Sequence, residues 1–86
     1  MMVFPVFRKY SDNLTYFRID SETEFTELKR LGSYYSKTAH YAKVYTDKVY
    51  IKDLIDCNFP GIQKASFETY QYIKLKWEKE LILFPV

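Results

Sequence analysis

Ser21-Glu22-Thr23-Glu24-Phe25-Thr26-Glu27-Leu28-Lys29-Arg30-Leu31 is the segment on which the architecture of this chain turns. Ser21 and Glu24 stand at the spacing of a capping box, in which the hydroxyl accepts from the first turn and the carboxylate reaches back to the cap. The acids come before Lys29-Arg30, the order a helix dipole favours. Phe25, Leu28 and Leu31, extended by Tyr35, recur at the three- and four-residue intervals of an amphipathic helix. The segment therefore reads as a helix beginning at Ser21. Gly32 either ends it as a C-cap or lies inside it where backbone approaches a sheet.

Upstream, residues 3 to 19 read as a β-hairpin, because two runs rich in Val, Phe, Tyr and Thr flank the turn signal Ser11-Asp12-Asn13. A three-residue loop from Asp12 to Leu14 would pair Tyr10 with Tyr16, Arg8 with Arg18 and Phe7 with Ile19. A two-residue loop would set Phe7 against Arg18, so the odd loop is preferred because it keeps each face chemically consistent.

Downstream, residues 39 to 45 alternate and read as a half-buried strand, with His40, Ala42 and Val44 on one side and Tyr41, Lys43 and Tyr45 on the other. Lys48 to Cys57 reads as a short helix, Asn58-Phe59-Pro60-Gly61 as a turn, and Ile62 to Lys64 as a brief edge strand. Ser66 then looks like an N-cap, followed by Phe67, Tyr70, Ile73, Trp77 and Leu81 on one helical face. Ile73 to Trp77 also alternates with period two, the competing hairpin reading for residues 66 to 83. Trp77 to Glu80 lacks Gly, Pro, Asn and Asp, so the helix is preferred. The resulting expectation is a two-layer α+β fold in the order ββα-β-short α-β-α, with an antiparallel sheet of three or four strands and two main helices on one face.

The 86 residues suit one domain spanning 1–86. With 48% hydrophobic and 28% charged residues the chain has a globular composition, while 20% aromatic content, from nine Tyr, seven Phe and one Trp, gives a short chain large rings to bury. A core set of Phe7, Phe17, Phe25, Tyr70 and Trp77 and an exposed set of Tyr10, Tyr16, Tyr41 and Tyr45 are expected. The net charge of +2 is spread along the chain and does not by itself imply nucleic acid. The lone Cys57 excludes an intramolecular disulfide and a multi-thiolate zinc site, and a reducing, cytoplasmic setting fits it. Met1 to Phe7 lacks the basic start of a signal peptide, and no apolar run approaches a membrane span.

The expected register gathers Arg8, Tyr10, Tyr16, Arg18, Tyr41, Lys43 and Tyr45 on one outward sheet face, a candidate interaction surface of rings and cations. Such a face could stack unpaired bases and neutralise phosphates. His40, Cys57, Asp53 and Asp56 raise a hydrolase or metal reading, but the chain has one His, one Cys and no Gly-rich nucleophile turn. Cys57 and His40 would have to be adjacent to act as nucleophile and base. Asp53 and Asp56 are expected in solvated or capping roles. With Gly32 and Gly61 the only glycines, phosphate-cradling and calcium loops are excluded, and neither metal nor cofactor is expected.

The uncharged end Leu81-Ile82-Leu83-Phe84-Pro85-Val86 parallels Val3-Phe4-Pro5-Val6-Phe7, and both are expected at sheet edges, where Pro5 and Pro85 would limit pairing. These features favour a non-enzymatic protein-interaction or regulatory domain, self-associating or binding a protein partner. A single-stranded nucleic-acid binder using the Tyr/Arg/Lys face is the alternative.

Overall fold

The structure is a computed structural model that describes residues 3–84. Eight elements follow in order: β1 (Val6–Tyr10), β2 (Thr15–Ser21), β3 (Glu24–Leu31), β4 (Tyr34–Tyr41), α1 (Tyr45–Ile55), β5 (Ile62–Lys64), α2 (Phe67–Glu80) and β6 (Ile82–Leu83). They form an α+β fold around one six-stranded sheet of order β5-β1-β2-β3-β4-β6, antiparallel except for the parallel β4–β6 pair. The sheet is thus wider than the three or four strands expected.

The helix expected at Ser21 is a correction. Residues 24–31 form β3, and Ser21 pairs with Glu24 across a two-residue turn in which the Thr23 amide donates to Ser21 Oγ at 3.1 Å. The serine thus caps a hairpin turn rather than a helix. Phe25 and Leu28, three residues apart, lie on opposite faces of a strand. Phe25 joins the core that contains Ile51, Leu54 and Ile55 of α1, and Leu28 joins the core that contains Tyr70 and Trp77 of α2. A strand buried on both faces can therefore carry apolar residues at helical spacing.

The same division overturns the two-layer arrangement. Along β2, Phe17 and Ile19 pack with α1 while Tyr16 packs with α2, so the helices cover opposite faces of the sheet. The molecule has three layers, α1, sheet and α2.

The hairpin register differs as well. Val6 lies opposite Ile19, Phe7 opposite Arg18, Arg8 opposite Phe17 and Lys9 opposite Tyr16, closed by a four-residue loop from Ser11 to Leu14. Asn13 takes the left-handed conformation at φ 61°, and the Leu14 amide donates to Asp12 Oδ1 at 2.9 Å, which stabilises the longer loop. Setting Phe7 against Arg18 is tolerated because that face is covered: Phe7 packs on Phe67 and Tyr70, while Arg18 reaches Asp20 at 3.0 Å.

The strand expected over residues 39–45 ends at Tyr41, so Tyr45 begins α1 instead. β4 starts earlier because Gly32, at φ 65°, supplies the first position of a two-residue turn between Leu31 and Tyr34. The short helix over residues 48–57 is observed as α1. It ends with the Asn58 amide donating to the Asp53 carbonyl at 2.9 Å and the Cys57 amide to the Leu54 carbonyl at 3.3 Å, with Cys57 left-handed at φ 57°. The edge strand over residues 62–64 and the helix capped by Ser66 are also present, the Ser66 hydroxyl accepting from the Thr69 amide at 3.0 Å. One continuous helix, not a hairpin, occupies residues 67–80.

Candidate interaction surfaces

The seven residues expected on one face are dispersed. Arg8 is buried under α1, donating from Nε and Nη2 to the Ile55 carbonyl at 3.1 and 2.6 Å and from Nη1 to the Phe7 carbonyl at 2.8 Å. Tyr10, half-buried on the same side, meets Phe17 edge-on at 5.7 Å. Tyr16 is buried on the other face, edge-on to Trp77 at 5.7 Å. Arg18 shares Tyr16's face, paired with Asp20. Tyr41 is exposed at the end of β4, Lys43 lies between β4 and α1, and Tyr45 is exposed in the first turn of α1. The expected core aromatics, Phe7, Phe17, Phe25, Tyr70 and Trp77, are all buried. Of the expected exposed set, Tyr41 and Tyr45 are open and Tyr16 is enclosed.

Two clefts border α1. One, of about 260 Å³, is lined by Phe25, Glu27, His40, Asp47 and Tyr50 among others. The His40 ring stacks on Phe25, centroids 4.7 Å apart, and its Nε2 lies 3.6 Å from Glu27 Oε1 without a hydrogen bond among the described residues. Burial pushes the Tyr50 hydroxyl's pKa up, and the neighbouring Tyr10 hydroxyl and Glu27 carboxylate add to it. Asp47 is held below the usual carboxylate range by the Lys43 and Val44 amides that its Oδ2 accepts from at 2.8 and 3.3 Å. These carboxylate hydrogen bonds cap the start of α1.

The lining residues of this cleft include no Ser or Cys nucleophile. His40 meets α1 near Asp47, Tyr50 and Ile51, whereas Cys57 follows the far end of that helix, so neither cleft brings the two together. Asp53 accepts from Asn58 Nδ2 at 3.3 Å and Asp56 is the C-cap of α1. The second cleft, of about 450 Å³, mixes Lys48 and Lys52 with Glu22 and Asp56, so its charges offset one another. No group of three His, Cys, Asp or Glu side chains close enough to share a metal occurs among the described residues. No helix among them is long and apolar enough to cross a membrane.

Large apolar side chains nonetheless remain outward, many of them singly, and two sets of them are neighbours. The first is a sheet corner beyond the reach of α1. There Leu31 lies opposite Tyr34, Tyr34 opposite Ile82, and Phe84 meets Tyr34 edge-on at 6.0 Å, the four being 42–59% exposed. The end of the chain is held by backbone at this edge: the Ile82 amide donates to the Ser33 carbonyl at 3.0 Å and the Phe84 amide to the Tyr35 carbonyl at 2.7 Å. The expected edge position of this tail is thus observed, with Pro85 outside the described residues, whereas Val3 to Phe7 leads into β1, an inner strand paired with both β2 and β5, and is not at an edge. The second surface is the outer side of α2, where Tyr72 is 64% and Leu75 is 56% exposed. Of the expected apolar stripe of α2, Tyr70 and Trp77 are buried, Ile73 and Leu81 half-buried and Phe67 exposed, and the stripe omits Tyr72 and Leu75. Their signal in the sequence is an apolar pair at a three-residue interval, directly across the helix from Tyr70, Ile73 and Trp77.

Compared with known proteins, the chain matches no family model, no curated protein and no solved structure.

Proposed function

We propose that this chain is a non-enzymatic protein-interaction domain that associates with copies of itself. The observation that carries the reading is the grouping of exposed apolar side chains. A helix already covers each face of the sheet, yet Leu31, Tyr34, Ile82 and Phe84 form one open surface and Tyr72 and Leu75 another. Scattered exposed apolar residues are ordinary, whereas contiguous sets mark contact sites. Tyr is favoured in such sites because its ring packs while its hydroxyl stays hydrated.

A cytoplasmic setting suits the reading, since the lone Cys57 has no intrachain partner for oxidation. The nucleic-acid alternative loses its argument, because it rested on a shared face for Arg8, Tyr16 and Arg18 with Tyr41 and Lys43, and Arg8 and Tyr16 are enclosed on opposite sides of the sheet.

Multi-angle light scattering across a concentration series tests the proposal. The expected result is a mass rising from the 10.4 kDa monomer toward twice that value. A constant monomer mass up to roughly millimolar protein, well above the weak range of transient complexes, would overturn self-association.

A further inference from the structure

The outward stripe of α2 reads Glu68, Tyr72, Leu75, Lys79, at intervals of four, three and four residues. All four side chains are exposed, and the stripe lies across the helix from the buried Tyr70 and Trp77. It runs acid, apolar, apolar, base over about 16 Å of helix at 1.5 Å per residue. Reversed, the stripe is its own complement.

Resting on the self-association reading, we propose that two copies pack α2 against α2 in antiparallel fashion about a two-fold axis level with Ile73 and Lys74. That axis sets Tyr72 against Leu75 of the second copy and Glu68 against Lys79 of the second copy, each contact occurring twice because the interface is isologous.

The flanking residues agree with this register. On the side of the pair that carries Lys76 its neighbour is Thr69 of the second copy, and on the other side Glu78 neighbours Gln71 of the second copy, so neither charge is set directly against a like charge. A parallel pairing would instead oppose Glu68 to Glu68 and Lys79 to Lys79, each unfavourable. Within one copy, Lys74 pairs with Glu78 at 3.2 Å, and the Lys76 ammonium stands 5.9 Å from the Tyr72 ring centroid, which holds that ring in place beside the axis. The sheet corner around Tyr34 has no comparable charge pattern to specify a copy of itself. With two apolar side chains per helix, the α2 contact belongs with small, transient interfaces.

Charge reversal separates this geometry from every other. Sedimentation velocity at low salt on the full chain compares wild type, Glu68→Lys, Lys79→Glu, and an equimolar mixture of the two variants. Both sites are exposed, so circular dichroism should show each variant folded. Each variant alone places two like-charge pairs across the axis, and its homodimer should weaken at least about tenfold. In the mixture, a copy with bases at both positions 68 and 79 faces a copy with acids at both. Every pair across the axis is then opposite in sign, and the heterodimer should return to within about threefold of wild-type affinity.

Recovery in the mixture supports the antiparallel register. Weakened variants that do not recover when mixed would overturn that register. Variants that dimerise as well as wild type would overturn the α2 interface while leaving self-association standing. A wild-type chain that never associates would remove both.

Discussion

The Arg8 guanidinium holds the end of α1, its Nε and Nη2 both donating to the carbonyl of Ile55 at 3.1 and 2.6 Å. Ile55 is the last residue of the helix, so a buried cation meets the negative end of the helix dipole and satisfies a carbonyl that has no partner further along the helix. The link joins β1 to the helix that comes after three further strands.

Replacing Arg8 by Met keeps the bulk and removes three donated hydrogen bonds. Hydrogen bonds from charged groups contribute about 1.5–3 kcal/mol each and are not additive, so a loss of about 2–3 kcal/mol is expected. Arg8→Lys should recover less than half of it, because an ammonium cannot present the planar fork. Urea unfolding should show a lower midpoint with unchanged slope.

Tyr70 is buried with its hydroxyl unpartnered among the described residues. Burial raises its pKa, with the nearby Asp20 and Glu78 carboxylates adding to the rise and Arg18 opposing it. Burial also raises the Tyr16 and Tyr50 hydroxyls. Above the ordinary value of 10.0 the unfolded chain releases these protons while the folded chain keeps them, so stability is intact below pH 10 and falls as pH rises beyond it. Tyr70→Phe should stabilise the protein by about 1 kcal/mol at neutral pH, because it removes an unsatisfied buried hydroxyl. It should also make the alkaline decline shallower in thermal melts recorded from pH 9 to about 11.5.

Val44 occupies the N-cap of α1 and makes no side-chain cap bond. Asp47 supplies half of a capping box by accepting from the Lys43 and Val44 amides. Val44→Ser would complete it by accepting from the Asp47 amide, and Val44 is exposed, so little packing is lost. A gain of about 0.5–1.5 kcal/mol is expected. Because the Asp47 pKa lies below its ordinary 3.8, its contribution is present above that value and lost as pH falls through the lowered pKa. Asp47→Asn should flatten the acid side of the thermal stability profile.

Gly32 turns the chain from β3 to β4 at φ 65°, and a Cβ there would meet nothing within 4 Å. Any cost of substitution therefore comes from backbone conformation alone. Gly32→Ala should lose about 1–2 kcal/mol, and Gly32→Asn less, because Asn tolerates the left-handed region. Chemical denaturation of both variants gives the comparison.

Much of the second half is legible without the fold. Ser66 caps α2, Tyr70 and Trp77 go inward, and Ile51, Leu54 and Ile55 make the inner stripe of α1, because an amphipathic helix with one buried side writes its period openly. The first half misleads at Ser21. A serine two residues before Thr23 serves a tight turn as readily as a helix cap, and Phe25 and Leu28 are buried on opposite faces of one strand. The expected interaction face fails through a single step of register, since Asn13 and Asp12 build a four-residue loop where three residues are expected. With a side-chain period of two, that step alone puts Arg8 beneath α1 and Tyr16 beneath α2.

Local spacing and caps were enough to establish the α+β class, the positions of α1, β5 and α2, and the buried set Phe7, Phe17, Phe25, Tyr70 and Trp77. They pointed wrongly to both main helices on one face. The assembled molecule places them on opposite sides of a six-stranded sheet, and hence leaves Tyr72 and Leu75 outward. Burial on a strand is set by what covers each of its faces. Residues distant in the chain supply that cover, and no local pattern of β2 or β3 records it.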